Sequence, residues 1–166
     1  VEKPFTKQLD YAQQIVDEAA QRNLKVAVCQ NARYSAKFVT MARLVREGSL
    51  GRPAFGLQTT FGWRAGVHHS GMDRHAYLWE RGIHDLDTMR FVFGAAPKRT
   101  WGHSFNPDWS PYRGGGGAHG WVEFEDGSTC GYMCTFVAHK GGGSFRIELE
   151  GGSMEPTSEG ISLTRP

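Results

Sequence analysis

The chain has 166 residues, of which 39% are hydrophobic and 12% aromatic, and its formal net charge is +2. This length and apolar content suffice for one hydrophobic core and one main domain. The charges are interspersed, so the composition argues against a basic nucleic-acid-binding surface and against an anionic-membrane anchor. A small-molecule partner is favoured.

The cysteine content indicates an intracellular protein. The three cysteines, Cys29, Cys130 and Cys134, are too few and too irregularly spaced for a disulfide framework, and their odd number indicates reduced thiols. No stretch is long and apolar enough to span a bilayer, and no basic-then-apolar leader opens the chain. We therefore predict a cytoplasmic protein that binds neither membrane nor nucleic acid.

Helical patterns alternate with short strand patterns in the first part of the chain. Apolar residues at three- and four-residue spacing predict a helix over residues 6–22, followed by a short apolar strand over 24–29. A second helical stripe begins at Phe38 and ends at Gly48, in a turn rich in helix-breaking residues. Strand character resumes over residues 54–63.

The second part begins with a polar loop over 64–74 and a helix over 81–93, and then consists of strands. Extended patterns cover residues 99–105, 118–125, 128–137, 144–149 and 160–164, with an Asp126-Gly127 hairpin turn between two of them. The clusters Gly114–Gly117 and Gly141–Gly143 predict flexible loops. Helices followed by strands predict an α+β fold, with an open, mostly antiparallel mixed β-sheet and helices packed on one face.

Three polar residues of the predicted third helix form the densest chemical signal. Glu80, His84 and Asp87 lie at four- and three-residue spacing, which places an imidazole between two carboxylates on one helix face. A histidine held in this way has a defined tautomer and exchanges a proton with a substrate hydroxyl near neutral pH. A cluster of salt bridges at the start of the helix explains the same spacing equally well.

The sequence does not favour a metal site or a phosphate cradle. The seven histidines, His68, His69, His75, His84, His103, His119 and His139, show no ligand spacing, so we predict that no metal is bound. Cys130 and Cys134 are an even number of residues apart on a predicted strand, which places both in the core. No Gly-x-Gly-x-x-Gly run opens a helix after a strand, so a dinucleotide-binding loop is not part of this chain.

Aromatic residues cluster around the polar loops. They are Trp63, Trp79, Trp101, Trp109, Tyr112 and Trp121, with Arg64 among them. Such residues suit a sugar or polyol pocket, where ring faces pack on C–H surfaces. They suit a sheet core or a subunit interface equally well.

Five segments, taken in order, resemble the Gfo/Idh/MocA family of NAD(P)-dependent oxidoreductases. They are Glu2-Lys3-Pro4, Asn31-Ala32-Arg33-Tyr34, Gly48-Ser49-Leu50-Gly51-Arg52-Pro53, Gly82-Ile83-His84-Asp85-Leu86-Asp87 and Leu149-Glu150-Gly151-Gly152-Ser153. The resemblance implies that residues 1–30 are the last helix and strand of a truncated Rossmann domain. It implies that residues 31–166 are a carboxy-terminal domain for substrate binding and dimerisation.

The resemblance also implies roles for individual residues. Lys3 and His84 correspond to the catalytic lysine and the acid/base histidine, and Glu80 stands where the family commonly has an aspartate. Lys3 and Pro4 are expected to contact the cofactor. The residues expected to contact the substrate are Arg33, Tyr34, Trp63 and Asp87.

The implied parent is an oxidoreductase that uses NAD or NADP on the CH–OH group of a sugar, polyol or related compound. It is expected to form a homodimer or tetramer through the sheet face. Because the cofactor half is missing, we expect this chain alone to bind no cofactor tightly and to be inactive. A non-catalytic relative that uses the same sheet for binding or assembly is the competing hypothesis, which the glutamate at position 80 keeps open.

Overall fold

The fold is built on one seven-stranded sheet, in a computed structural model that describes residues 1–67 and 69–166. The strands are β1 (Pro53–Trp63), β2 (Pro97–Phe105), β3 (Gly117–Phe124), β4 (Thr129–Thr135), β5 (Val137–Leu149), β6 (Gly152–Pro156) and β7 (Ile161–Thr164). Their order is β2-β3-β4-β1-β5-β6-β7. The central pair β1 and β4 is parallel and the other pairs are antiparallel, which confirms the predicted open mixed sheet.

Three α-helices accompany the sheet, namely α1 (Leu9–Gln21), α2 (Ala36–Arg46) and α3 (Ile83–Phe93). A π-helical turn, Leu78–Gly82, leads directly into α3. Gly94 ends α3 with a φ of +73°, a left-handed conformation that favours glycine at this position. None of the helices in the described ranges is long and apolar enough to cross a membrane.

Within residues 1–67 and 69–166, helices cover one face of the sheet and not the other. On that face Met41 of α2 and Met89 of α3 pack with Ile147 of β5, and Cys130 and Cys134 are buried there as predicted. Side chains alternate between the two faces along each strand. The opposite face is open, and one row across it carries Leu57, Gly131, Trp121 and Trp101, which the strand register aligns. The three large side chains of this row are 49%, 40% and 54% exposed.

The structure differs from the predicted elements at four places, the first three of which concern strands. The predicted strand 24–29 is irregular chain and has no neighbouring strand among the described residues. Ala27 and Cys29 form main-chain hydrogen bonds with Val1, and the amide nitrogen of Leu24 donates one to the oxygen of Ala19. Strand β6 was not predicted, since it is short and is bounded by glycine and proline. The Gly141–Gly143 cluster is not a loop but lies inside β5, where a Cβ on Gly143 would overlap the Thr59 carbonyl oxygen.

The run Gly114–Gly117 connects β2 to β3 but is closely packed, contrary to the expected flexible loop. Gly115, Gly116 and Gly117 are buried. A Cβ on Gly114 would overlap the carbonyl group of Asp73 and lie 3.0 Å from Cα of Arg74. Glycine is therefore needed here because two stretches of main chain approach each other.

Candidate functional site

The amino-terminal segment reaches the start of α3 through a lysine. The ammonium of Lys3 donates a hydrogen bond of 2.7 Å to the main-chain oxygen of Glu80 in the π-helical turn. Further along the segment, Lys7 forms an ion pair with Asp73. Lys3 and Pro4 are both half-buried. These contacts hold the two residues expected to meet substrate and cofactor against the second half of the chain.

Glu80 lies in the middle of the π-helical turn and is only 6% exposed. Its carboxylate pairs with the guanidinium of Arg64, which lies 5.4 Å from the ring centre of Phe136. A π-helical turn holds more residues per turn than an α-helix, so the α-helical register assumed between Glu80 and His84 does not hold. The glutamate carboxylate is instead directed to an arginine at the end of β1.

His84 lies in the first turn of α3 and is half-buried. Among the described residues its Nδ1 atom is buried and has no hydrogen-bond partner, so neither predicted carboxylate orients the imidazole through that atom. Burial lowers the pKa of His84, and the charges of Lys3 and Arg81 lower it further, while Asp87 and Glu2 oppose them. The imidazole is therefore neutral near neutral pH, the state that accepts a proton.

A second polar group joins α3 to the segment before α2. Asp87 accepts a hydrogen bond of 2.6 Å from Nε of Arg33, and its other oxygen accepts one from the same guanidinium. This bidentate contact fixes both side chains. With Phe5 and Tyr34 they line a pocket of about 340 Å³. Three of the four residues expected to contact the substrate thus lie together.

Asp85 anchors the first turn of α3 to the core. Its buried carboxylate accepts hydrogen bonds from Tyr77, at 3.0 Å, and from Tyr132 of β4, at 3.4 Å. Nε of Arg81 lies 3.4 Å away. Burial raises the pKa of Asp85, whereas Arg81 and the two hydroxyls lower it. These bonds tie the turn that carries His84 to the sheet.

Trp63, the fourth residue expected to contact the substrate, lies in a different environment. Its ring stacks on His139 at a centroid distance of 5.6 Å, and Trp109 stacks on His139 at 5.5 Å. Successive residues of extended chain point to opposite faces, so the side chain of Trp63 diverges from that of Arg64. The structure therefore does not bring Trp63 to the Lys3–Glu80 contact.

Arg64 is the polar residue of this region to which sequence reasoning assigned no partner. It follows the last residue of β1, and its amide nitrogen donates a hydrogen bond of 2.9 Å to the oxygen of Phe136. The sequence signal that could have identified Arg64 is a positively charged residue at the end of a predicted strand, immediately before a polar loop. Its pairing with Glu80 follows from the fold and not from a helical spacing.

The described part of the site lacks the side chains of a metal centre. Within residues 1–67 and 69–166 there is no group of three His, Cys, Asp or Glu side chains able to hold a metal ion. His68, one of the histidines considered as a ligand, lies outside the described residues. The half-buried Lys3 and Pro4, beside a neutral imidazole, suit the nicotinamide end of a dinucleotide, but the chain offers no glycine-rich helix start for its phosphates.

Solved structures of NAD-binding oxidoreductases contain a domain of this fold. An oxidoreductase from Agrobacterium radiobacter, in complex with NAD+, L-tartaric acid and magnesium, matches 99% of this chain with a TM-score of 0.85 at 18% identity. A dehydrogenase from Chromobacterium violaceum, in complex with NADH and UDP-GlcNAcA, matches 99% with a TM-score of 0.82 at 15% identity. In both cases the chain spans 52% of the solved protein.

Sequence comparison identifies the family. The profile of the GFO/IDH/MocA C-terminal domain matches residues 38–155, and the chain belongs to this family of oxidoreductases. D-apiose dehydrogenase from Paraburkholderia graminis is a relative that is 27% identical over 96 residues, which make up 56% of this chain and 26% of that enzyme. The chain therefore spans about half the length of the solved relatives, and its alignment with D-apiose dehydrogenase covers about a quarter of that enzyme.

Proposed function

We propose that the chain is the substrate-binding and oligomerisation domain of an NAD(P)-dependent oxidoreductase that acts on the CH–OH group of a sugar, polyol or related compound. The hydrogen bond from Lys3 to Glu80 carries the proposal, because it holds an ammonium group beside the turn that leads to a neutral His84. The names of the relatives agree with this class of substrate, since they include an apiose dehydrogenase and complexes with tartaric acid and a UDP-sugar.

In this proposal the two side chains act on one substrate oxygen. Neutral His84 accepts the hydroxyl proton, and the ammonium of Lys3 donates a hydrogen bond to the same oxygen as negative charge develops there. When bound, the nicotinamide accepts a hydride from the adjacent carbon. Asp87, one turn further along α3, binds the remaining hydroxyls of the substrate together with Arg33 and Tyr34, which lie beside it.

We also propose that residues 1–30 belong to the nucleotide-binding domain of the longer enzyme. No residue of α1 is buried, and its apolar side chains Leu9, Ile15 and Val16 are exposed. The adjoining segment 24–29 has an apolar, strand-type sequence but no neighbouring strand among the described residues. A helix and a strand whose neighbours lie in another domain have these features. The cofactor phosphates are then bound by that domain, and this chain alone is inactive.

The open sheet face is proposed to bind a second copy of the chain. Leu57, Trp121 and Trp101 form an exposed apolar row there, and exposed apolar patches of this kind often mark protein–protein interfaces. We expect Leu57→Arg to convert the oligomer to a monomer in analytical ultracentrifugation, because it buries a charge in the interface. Lys140→Arg, which keeps the charge at an exposed site of β5, is the control. An unchanged sedimentation coefficient for Leu57→Arg would exclude this face.

The enzymatic proposal is tested on the longer polypeptide that carries this chain. With NAD+ or NADP+ and with D-apiose, L-tartrate or neutral polyols as substrates, we expect reduced nicotinamide to form. His84→Gln should lower kcat/KM by roughly a hundred- to ten-thousand-fold with little change in cofactor affinity. Lys3→Met should lower it too, whereas Lys140→Met should not. Unaltered turnover in His84→Gln would remove His84 from the mechanism.

The competing function, a binding or assembly relative without catalysis, has one observation in its favour. The carboxylate of Glu80 is paired with Arg64 and so has a structural role in this fold. This function would be supported if the longer polypeptide binds NAD+ but does not reduce it with any of the substrates tested, in the wild type as in His84→Gln.

A further inference from the structure

A cleft beside the β2–β3 connection is lined by two arginines. Arg74 and Arg113, with Ser104 and Asn106, line a cavity of about 400 Å³. Both arginines are exposed. Arginine recognises oxyanions well because its planar guanidinium presents several donors in a fixed geometry.

Main-chain hydrogen bonds join the two segments that carry the arginines. The amide nitrogens of Arg113 and Gly114 donate to the oxygen of Gly71 at 3.1 and 3.3 Å, and that of Gly115 donates to the oxygen of Arg74 at 2.8 Å. The close approach of Gly114 to Asp73, described above, belongs to the same contact. The cleft is therefore formed by two segments that are bonded together before any ligand arrives, which lowers the entropic cost of binding.

Neighbouring carboxylates leave the positive charge of the cleft uncompensated. Asp73, next to Arg74 in sequence, is paired with Lys7. Asp108, on the same β2–β3 connection, is exposed and forms no ion pair with either arginine among the described residues. Two like charges in one cleft repel each other, and a bound anion removes that repulsion.

The cleft lies on the side of the domain to which the amino-terminal segment is attached. The ion pair of Lys7 with Asp73 joins that segment to the chain immediately before Arg74. Four residues earlier in the same segment, Lys3 is bonded to the turn before His84. The amino-terminal segment therefore contacts both the turn before His84 and the chain before Arg74, and this shared contact links the cleft to the candidate site.

We propose that Arg74 and Arg113 bind an oxyanion, a carboxylate or a phosphate ester, carried by the sugar or polyol substrate. This deepens the proposed function and rests on it for the identity of the sugar portion. Acidic or phosphorylated sugars are then expected to bind more tightly than neutral ones. The asparagine amide and serine hydroxyl of the cleft are bonded within the protein, to Tyr112, Gly116 and His75, so the guanidinium groups supply the main attraction.

Binding is measured on the 166-residue chain by amide NMR titration with D-glucuronate, D-glucose 6-phosphate and neutral D-glucose as probes. We expect at least one of the two anions to shift the amides of residues 71–74 and 113–115, with D-glucose leaving them unchanged at the same concentration. A response to glucuronate alone identifies a carboxylate, and a response to the phosphate ester alone identifies a phosphate. Each of Arg74→Gln and Arg113→Gln should weaken that binding by roughly tenfold or more.

The control is Arg90→Gln, which removes an exposed positive charge from α3 and should leave binding unchanged. The proposal is overturned if neither anion binds more tightly than D-glucose, or if the two cleft variants bind as the wild type does. It is also overturned if Arg90→Gln weakens binding equally, since that result indicates general charge screening. Because the titration measures binding and no turnover, a failure of the dehydrogenase assay does not change its outcome.

Discussion

The close packing of Gly114 leads to a quantitative prediction for Gly114→Ala. The new methyl group would overlap the carbonyl group of Asp73, so the two segments must separate by on the order of 2 Å to restore ordinary contact. Overpacking of this kind costs about 1–3 kcal/mol. Weakening the hydrogen bonds from Gly114 to Gly71 and from Gly115 to Arg74 adds about 1 kcal/mol for each. The expected loss of unfolding free energy is about 3–5 kcal/mol.

Thermal and urea denaturation followed by circular dichroism measure this loss. For a domain of this size, 1 kcal/mol shifts Tm by about 2–4 °C, so Gly114→Ala should lower Tm by roughly 6–20 °C. Gly160→Ala is the control, because a Cβ there meets no atom within 4 Å, and it should change stability by less than about 1 kcal/mol. A Tm for Gly114→Ala within about 2 °C of the wild type would refute the close approach of these segments.

Two further predictions concern buried polar groups. Burial lowers the pKa of His84 in the folded chain, and Lys3 and Arg81 lower it further, so the unfolded chain binds the proton more readily. The stability that neutral His84 contributes is therefore present above pH ~6.5 and is lost as the pH falls through the folded pKa. Urea midpoints from neutral to acidic pH should therefore fall more for the wild type than for His84→Gln, and parallel curves would contradict this. Tyr77→Phe removes a hydroxyl bonded to Asp85 and should cost about 1–3 kcal/mol in thermal denaturation. Tyr112→Phe removes a buried hydroxyl without a partner among the described residues and should leave Tm unchanged or raised. A larger fall in Tm for Tyr112→Phe than for Tyr77→Phe would show that these bonds are misassigned.

Local patterns in the sequence predicted most of the individual elements. The spacing of apolar residues gave α1, α2 and α3, and alternation with the Asp126-Gly127 turn gave β3 and β4, where Gly127 has the expected positive φ of 86°. The parallel pairing of β1 with β4 was not predictable in this way. Residues far apart in the chain form it, as Phe55 and Thr129 do, and no local spacing specifies which strands meet.

The candidate site was predicted only in part, for two physical reasons. The resemblance to the family pointed to Lys3 and His84, and their segments do meet in the fold through Glu80. The π-helical turn changes the register before α3, and apolar spacing does not reveal such an insertion because only five residues adopt it. The pairing of Arg64 with Glu80 depends on where β1 ends relative to that turn, which is a property of the assembled sheet.

The position of β1 at the centre of the sheet has a consequence for synthesis on the ribosome. Both of its neighbours, β4 and β5, are encoded after α3 and two further strands, so β1 leaves the ribosome well before either can pair with it. At about 5–20 residues per second, the strand waits for roughly 4–14 s with both edges unpaired, until β4 has been made. During this interval its apolar side chains, Phe55 and Leu57 among them, are available to other nascent chains. Chaperone occupancy in ribosome profiling is therefore expected to rise after β1 emerges and to fall once β5 has been made.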